Sequence, residues 1–181
     1  GLVGSALVEA LEGAGNSVAR LVRRAPGANE VRWNPAGELD PAGLEGMDAV
    51  VHLAGESIAQ RWTPAAKDRI LRSRAQGTRT LATALTQAPR PPRVLVSASA
   101  IGIYGSKRGD EVLREDSTPG SDFLADVTRQ WEAATEPASR AGIRVVLPRI
   151  GVVLSPHGGA LGKMLPPFRM GLGGRLGSGQ Q

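Results

Sequence analysis

A short stretch in the middle of the sequence joins an apolar strand pattern to small hydroxylated residues. Val94-Leu95-Val96 is typical of a buried parallel strand, and Ser97-Ala98-Ser99 follows it directly. Ligands of open α/β sheets bind at the carboxyl ends of the strands. The stretch therefore predicts a site that opens where the serines begin. The alternative interpretation is a core strand that runs into a serine-rich turn.

Tyr104 follows soon after these serines and is the single tyrosine of the chain. Lys107 comes three residues later, which suggests an acid-base pair. The glycines at 102, 105 and 109 indicate a loop, however, and in a loop this spacing gives no common face. We therefore interpret Tyr104 as a residue that lines the pocket, with an acid-base role as the alternative.

The composition argues against several other kinds of chemistry. The 181 residues contain no cysteine, which rules out disulfides and thiolate metal sites, and the two histidines, His52 and His157, are isolated from each other. We therefore expect no metal site, so that any chemistry is metal-free or carried by a cofactor. With 41% hydrophobic and 22% charged residues, the chain is long enough for one ordinary domain with a substantial core.

The net charge of +5 raises the question of a nucleic-acid partner. The arginines are scattered and only 3% of the residues are aromatic, so we expect no such partner. No apolar run approaches the roughly 20 residues that a membrane span needs, and no signal-peptide pattern is visible. The expectation is a cytoplasmic protein that binds no membrane.

The chain opens with a helical pattern. Apolar residues at 3, 7, 10 and 11 mark one face of a helix that ends near Gly13. Its start, Gly1-Leu2-Val3-Gly4, fits the second half of a Gly-x-x-Gly-x-x-Gly phosphate turn. There Gly1 would let the backbone approach a pyrophosphate, and Gly4 would let the helix pack tightly on a strand. A helix start that merely contains glycines is the alternative.

A strand pattern at 17–22 ends in Arg23 and Arg24. In a β-α-β nucleotide fold this position lies beside the adenosine ribose, where an acidic residue binds the 2′-hydroxyl and arginine accommodates a 2′-phosphate. The two arginines therefore favour NADP(H) over NAD(H). The alternative is a pair of solvated surface residues.

The next segments alternate between strand and helix. Strands are predicted at 30–33 and 48–55, and a long helix is predicted from 65 to about 88, begun by Thr63-Pro64 and interrupted by Gly77. Together with the earlier elements they predict a doubly wound parallel sheet of the α/β class.

Two features of the 48–55 strand bear on the site. His52 stands between apolar neighbours, so we interpret it as a packed strand residue and not as a catalytic base. The strand ends in Ala54-Gly55, and these small residues leave room for a cofactor to pass close to the backbone.

Short motifs of unusual type are spread along the whole chain. They are Gly1-Leu2-Val3-Gly4, Leu53-Ala54-Gly55-Glu56, Arg61-Trp62, Ser73-Arg74, Ser97-Ala98-Ser99-Ala100 with Tyr104-Gly105, Gly151-Val152-Val153-Leu154 and the run from Gly158 to Gly179. Together they resemble the short-chain dehydrogenase/reductase superfamily, and within it the atypical NAD(P)-binding "epimerase family" branch of bacteria. The run that contains Gly-Lys-Met-Leu-Pro-Pro-Phe-Arg is the most specific motif.

The resemblance implies a Rossmann-type domain over 1–155, followed at 156–181 by the start of a smaller substrate-side segment. Family members have a further strand ahead of Gly1 and a further region after Gln181, so the chain resembles a fragment truncated at both ends. We expect such a fragment, without the central first strand, to fold poorly alone. The residues expected at the cofactor are Gly1, Leu2, Val3, Gly4, Arg23, Arg24, Leu53, Ala54, Gly55, Glu56, Arg74, Ser97, Ala98, Pro148, Arg149 and Gly151.

The resemblance also implies which residues would be catalytic. Typical superfamily enzymes use a Ser or Thr after the central strand together with Tyr-x-x-x-Lys on the next helix, and Ser99 fits the first role. That helix is expected at about 121–140, where alignment places Leu124 and Thr128 at the Tyr and Lys positions. Neither can transfer the proton. Ser99 is therefore the first catalytic candidate and Tyr104 the second, and the loss resembles the atypical branch.

The last segments predict the substrate side. A strand at 143–149 is followed by a loop that the resemblance places under the nicotinamide, and residues 160–170 predict a short helix broken by Pro166-Pro167. The basic residues of this region favour an anionic, nucleotide-sugar-like substrate, with a solvated surface lid as the alternative. The substrate-side candidates are Lys163, Met164, Phe168 and Arg169.

The leading hypothesis is an NADP(H)-dependent oxidoreductase or epimerase that acts on an unidentified small molecule, with the hydride carried by the cofactor. The alternative, which the missing Tyr and Lys favour, is an NADP(H)-binding protein without turnover, such as a redox sensor. The hypothesis for a protein partner is a second copy of the chain, in a homodimer.

Overall fold

The computed structural model describes residues 1–37, 39–175 and 179. The chain divides into two compact units, one made of Gly1–Val18 with Val152–Gln181 and the other of Ala19–Gly151. The predicted boundary between residues 155 and 156 stays a prediction, and residues 176–178 and 180–181 of the predicted second segment lie outside the described residues.

The described chain contains both helices and strands, with a helix between each pair of neighbouring strands of its three-stranded sheet. The elements are α1 (Leu2–Gly13), β1 (Arg20–Val22), β2 (Glu30–Arg32), β3 (Ala49–His52), α2 (Pro64–Gln87), β4 (Val94–Ser97), β5 (Ser99–Ala100), α3 (Phe123–Ala133), α4 (Glu136–Arg140), β6 (Arg144–Val146), β7 (Arg149–Ile150), β8 (Leu154–Ser155) and α5 (Gly159–Arg169). Single 3₁₀ turns at Pro41–Leu44 and Ile101–Tyr104 complete the set.

The larger unit is built on parallel strands. β3, β4 and β6 form one sheet in that order, β1 pairs with β2, and β5 pairs with β7, every pair being parallel. Parallel neighbours need a crossover, which α2 provides between β3 and β4, and α3 with α4 provides between β4 and β6. The predicted α/β class with parallel strands is therefore confirmed.

Helix α2 supplies much of the core of this unit. Thr63 caps it, since its Oγ1 accepts a hydrogen bond from the Ala66 N–H, and Pro64 occupies the first turn. Ile70, Leu81 and Leu85 are fully buried, and the two leucines belong to one hydrophobic core with Leu95 of β4.

The predicted interruption of α2 at Gly77 is wrong, because the helix is continuous from Pro64 to Gln87. A glycine inside a helix costs about 1 kcal/mol relative to alanine. Burying one leucine contributes roughly 1.5–3 kcal/mol, so the buried residues on both sides of Gly77 outweigh that cost.

Other element predictions need correction as well. The helix expected at 121–140 is divided into α3 and α4, because Pro137 lies in the first turn of α4 and cannot continue an earlier helix. The strands expected at 17–22 and 48–55 are shorter, at Arg20–Val22 and Ala49–His52, since only those residues have a paired neighbour.

The smaller unit contains α1, β8 and α5. Leu2 contacts the turn before α5, where a Cβ on Gly159 would come 3.0 Å from the Leu2 Cδ1. Gly159 also has φ 67°, a conformation that side chains rarely adopt, so the turn requires glycine.

The break expected in α5 at Pro166-Pro167 is wrong, because both prolines lie inside the continuous helix Gly159–Arg169. They stand in its last turns, where only two amide donors are lost, and their carbonyl oxygens accept from the Met170 N–H at the helix end. None of the described helices has the length and apolar character needed to cross a bilayer.

Candidate functional site

The carboxyl ends of β3, β4 and β6 bring several predicted residues to one edge of the sheet. The Ala98 N–H donates to the His52 carbonyl oxygen at 2.9 Å, and the Ser99 N–H donates to the Pro148 carbonyl oxygen at 2.9 Å. Ser99 is therefore fixed between the segments that follow β3 and β6. The predicted residues at this edge are Leu53, Ala54, Gly55, Glu56, Ser97, Ala98, Ser99, Pro148 and Arg149.

Four polar side chains form what we call the hydroxyl cluster: Ser99, Tyr104, Glu132 and Arg149. The Ser99 hydroxyl donates a short hydrogen bond to Glu132 Oε1. Arg149 donates from Nε to the same oxygen at 3.0 Å and from Nη2 to Glu132 Oε2 at 3.1 Å. Its Nη1 donates to the Tyr104 hydroxyl oxygen at 2.8 Å.

The hydroxyl cluster lies just below the protein surface. Ser99 is 3% exposed and Tyr104 is 7% exposed, whereas the neighbouring Ile101 is 51% exposed. Gly151, another predicted cofactor residue, lies beside that isoleucine, since its Cβ position is 3.6 Å from the Ile101 Cδ1. Ile101 therefore gives this part of the chain an exposed apolar surface next to Gly151.

Arg149 is held as a cation at the centre of the cluster. The hydrogen bonds with Glu132 raise the pKa of its guanidinium most, burial opposes them, and the hydrogen bond to Tyr104 raises it further. The guanidinium carbon also stands 5.2 Å from the centre of the Tyr104 ring, and Nη1 donates to the Glu115 carbonyl oxygen at 2.8 Å. This positive charge would stabilise negative charge that develops on the phenol oxygen.

Glu132 was not among the site residues predicted from the sequence. The available signal was its spacing, because Glu132 lies four residues after Thr128 and seven after Ala125, so it shares the helix face that packs inward. Arg149 was predicted at the cofactor. The structure places its guanidinium among Glu132, Tyr104 and Glu115, and its contact with a cofactor stays a prediction.

The helix positions aligned with the superfamily Tyr and Lys hold no acid-base group. Thr128 Oγ1 donates to the Leu124 carbonyl oxygen at 2.8 Å, and both residues lie against Gly102 in the turn that carries Tyr104. That turn is 3₁₀ at Ile101–Tyr104, where a loop was predicted, because the glycine at 102 lets it pack against α3. Lys107 lies beyond the turn and is exposed.

Arg74 lies under the loop that follows β3. Its Nη1 donates to the Glu56 carbonyl oxygen at 2.9 Å, and its guanidinium stacks over the Trp131 ring at 5.1 Å. A Cβ on Gly55 would come 3.1 Å from the guanidinium carbon, so the loop approaches this closely only with glycine there. Ser73 helps to hold the loop, because its Oγ accepts from the Glu56 N–H at 2.9 Å.

Burial lowers the pKa of Arg74, and the charge of Glu56 opposes that shift. Within the described residues, Nε and Nη2 of Arg74 make no hydrogen bond, since both of its bonds come from Nη1. The side chain therefore keeps donors for an anion at the sheet edge.

The two arginines after β1 differ in their partners. Arg24 is bound by Glu30, with Nη2 2.6 Å from Oε1 and Nη1 2.7 Å from Oε2. The hydrogen bond from Arg24, followed by that from the Gly27 N–H, lowers the pKa of Glu30. Arg23 is exposed and makes no hydrogen bond or ion pair in the described part of the chain.

The remaining predicted residues belong to the smaller unit. Gly1 to Gly4 begin α1, and the substrate-side candidates Lys163, Met164, Phe168 and Arg169 are exposed on α5. Across residues 1–37, 39–175 and 179, no three His, Asp or Glu side chains come together as metal ligands would.

Comparisons with known proteins identify relatives over nearly the whole chain. The model of the "NAD dependent epimerase/dehydratase family" matches residues 1–173. "Epimerase family protein Mb2239" of Mycobacterium bovis is 50% identical over 184 residues, which cover 100% of this chain and 60% of that protein. The chain thus spans about three fifths of the length of this relative.

Two crystal structures share the fold. Human epimerase family protein SDR39U1 with NADPH is 37% identical, with a TM-score of 0.87 over 100% of this chain and 61% of the human one. The nucleoside-diphosphate sugar epimerase from Corynebacterium glutamicum is 42% identical, with a TM-score of 0.86 over 98% of this chain and 37% of the other. These likenesses confirm the predicted Rossmann-type fold.

Proposed function

The chain belongs to the NAD dependent epimerase/dehydratase family, and we propose that it is an NADP(H)-dependent oxidoreductase or epimerase for a small, phosphate-bearing substrate. The observation that carries this proposal is the hydroxyl cluster at the carboxyl edge of the sheet. There two hydroxyls are held by a partly buried ion pair in the place where α/β sheets bind ligands.

The residues present fit a dinucleotide. Gly55 leaves the space that a side chain would fill above Arg74, and Arg74 keeps unbonded N–H groups at the same edge. Arg23 is free of protein partners among the described residues and suits a 2′-phosphate, whereas Arg24 is already bound to Glu30. The NADPH named for the human relative supports the choice of NADP(H) over NAD(H).

When bound, the nicotinamide supplies or accepts a hydride. The protein must then add or remove a proton at the substrate oxygen, which needs a group within hydrogen-bond reach. Leu124 and Thr128 cannot do this, so the task falls to Ser99 and Tyr104. The Arg149 guanidinium beside Tyr104 supplies the positive charge that a lysine provides in typical superfamily enzymes.

The substrate class is proposed from two observations. The C. glutamicum relative is a nucleoside-diphosphate sugar epimerase by name. Lys163 and Arg169 are exposed on α5 and can bind a diphosphate. We therefore propose a nucleoside-diphosphate sugar as the substrate class.

An NADP(H)-binding protein without turnover is the second candidate. It is favoured by Leu124 and Thr128, which leave α3 without the usual acid-base pair. This candidate predicts tight NADPH binding, and no hydride transfer to or from any nucleotide sugar.

One experiment separates the two candidates. NADPH binding is measured by fluorescence titration, and hydride transfer is measured by mass spectrometry after the protein is incubated with NADP⁺ and ring-deuterated UDP-glucose, UDP-galactose or UDP-glucuronic acid. Deuterium in the nicotinamide supports the enzyme. Binding without deuterium transfer supports the second candidate, and absence of binding contradicts both.

A further inference from the structure

The direction of every hydrogen bond in the hydroxyl cluster follows from the chemistry of its charged members. The Glu132 carboxylate can only accept hydrogen bonds, and the Arg149 guanidinium can only donate them. The Ser99 hydroxyl therefore donates its hydrogen bond within the cluster, whereas the Tyr104 hydroxyl accepts one.

Ser99 has one hydroxyl hydrogen, and that hydrogen points to Glu132 Oε1. Toward a ligand, Ser99 is left with lone pairs only, so it can accept a hydrogen bond but cannot give a proton while this contact holds. Glu132 itself is fixed by two hydrogen bonds from Arg149, at 3.0 and 3.1 Å, so its carboxylate cannot turn away from the serine without breaking them.

Tyr104 has the opposite arrangement. Its oxygen accepts from Arg149 Nη1 at 2.8 Å, so the single phenolic hydrogen is not used in that contact. No other hydrogen bond involves the Tyr104 hydroxyl among the described residues. The phenol is therefore the one hydroxyl of the cluster with a hydrogen left for a ligand.

We propose that Tyr104 is the proton donor to the substrate oxygen, and that Glu132 and Arg149 are positioning residues that make Ser99 an acceptor and Tyr104 a donor. The inference rests on the proposed function and deepens it. It also reverses the order of candidates drawn from the sequence, in which Ser99 came first.

The proton step balances within these groups and solvent. As the substrate carbonyl carbon gains a hydride from the reduced nicotinamide of NADPH, which becomes NADP⁺, the carbonyl oxygen forms a bond to the phenolic proton while the O–H bond of Tyr104 breaks. The phenolate left behind faces the Arg149 guanidinium, and a hydronium ion from solvent returns the proton and becomes water. In the oxidative direction the phenolate takes the proton from the substrate hydroxyl.

The first test compares turnover and binding. We expect Tyr104→Phe to slow single-turnover deuterium transfer from the three UDP-sugars at least about tenfold, which corresponds to about 1.4 kcal/mol of barrier. Arg149→Met is expected to do the same, and Arg149→Lys to recover part of the rate because it restores a cationic donor. Glu132→Gln should also slow transfer. The side-chain amide can donate a hydrogen bond to the Ser99 oxygen, so that the serine hydroxyl becomes the acceptor in this contact and its hydrogen turns away from residue 132. In all four variants the NADPH dissociation constant should stay within about twofold.

The second readout does not depend on turnover. Because Tyr104 is the only tyrosine, 3-fluorotyrosine labelling gives one fluorine resonance from this site. We expect Arg149→Met and Glu132→Gln to shift that resonance. The matched control is Glu136→Gln, which removes another Glu–Arg pair, that with Arg140, from an exposed part of α4 and should change neither the resonance nor the rate.

The outcomes separate the two proposals. If the unaltered protein transfers deuterium and Tyr104→Phe leaves the rate unchanged, the role of Tyr104 is wrong while the proposed function stands. If Arg149→Met leaves the fluorine resonance in place, the positioning role is wrong. If the unaltered protein transfers no deuterium, the proposed function fails, and this inference fails with it.

Discussion

Acidification should destabilise the protein through His52. This side chain is 3% exposed in β3, with the Trp33 ring edge-on at 5.5 Å, and its Nε2 has no hydrogen-bond partner among the described residues. Burial disfavours the charged imidazolium and lowers the pKa of His52 from 6.5 to about 4. The packed role that we predicted for His52 agrees with this burial.

The sign follows from proton binding. Between pH 6.5 and about 4 the unfolded chain takes up a proton that the folded chain excludes. The stability that a neutral His52 contributes is therefore complete above pH 6.5 and is lost as the pH falls toward 4. One pKa unit corresponds to 1.36 kcal/mol, so the full loss is about 3 kcal/mol, and about 2 kcal/mol of it is reached near pH 5.

The assay is guanidinium denaturation at about pH 7.5 and about pH 5, a range that lies above the ordinary pKa of Asp and Glu side chains. The unaltered protein should lose about 2 kcal/mol of unfolding free energy on acidification, equivalent to roughly 4–8 °C in Tm. His52→Leu should remove most of this pH dependence, and the exposed His157→Gln should keep it. An equal loss in the unaltered protein and in His52→Leu would refute the reasoning.

Three further predictions concern the cofactor, α2 and Ser99. NADPH should bind more tightly than NADH by about 1.5–3 kcal/mol, as measured by fluorescence titration. Arg23→Ala should reduce that preference more than Arg24→Ala, and equal effects would contradict the assignment of Arg23 to the 2′-phosphate. Gly77→Ala should raise the unfolding free energy by about 0.5–1 kcal/mol, because the added Cβ meets Pro35 at an ordinary 3.5 Å; a destabilised variant in denaturant titration would contradict this. Ser99→Ala should slow single-turnover deuterium transfer at least about tenfold while NADPH affinity stays nearly unchanged; an unchanged rate would remove Ser99 from the site.

The sequence was informative where local rules act alone. The cap of α2 at Thr63 depends on neighbouring residues, and the sequence predicts it correctly. Strand ends were predicted too far because the apolar pattern continues through Leu53-Ala54, whereas strand pairing stops at His52. Whether an apolar residue has a paired neighbour depends on another strand, which periodicity does not contain.

Glu132 and the contacts that join the hydroxyl cluster were not predicted, although Ser99, Tyr104 and Arg149 were each named as site residues. Ser99 and Glu132 are 33 residues apart, and Tyr104 and Arg149 are 45 residues apart, so no motif spacing connects them. The resemblance directed attention to the helix positions of the usual Tyr and Lys, which hold Leu124 and Thr128. The charged groups that surround the hydroxyls come instead from a later turn of α3 and from β7.

Two arginines at the carboxyl edge of the sheet, Arg74 and Arg149, were both predicted at the cofactor. Their partners in the structure differ and indicate different roles. Arg149 has its charge balanced by Glu132 and makes four hydrogen bonds, so it needs no ligand to offset its burial. Arg74 lies against Trp131 and Gly55, its hydrogen bonds to the described residues are all to carbonyl oxygens, and burial lowers its pKa. A partly buried cation without a bound carboxylate is costly in the free protein, and an arriving phosphate would offset that cost. The anionic part of a dinucleotide is therefore expected at Arg74, and the contribution of Arg149 is expected at the proton step.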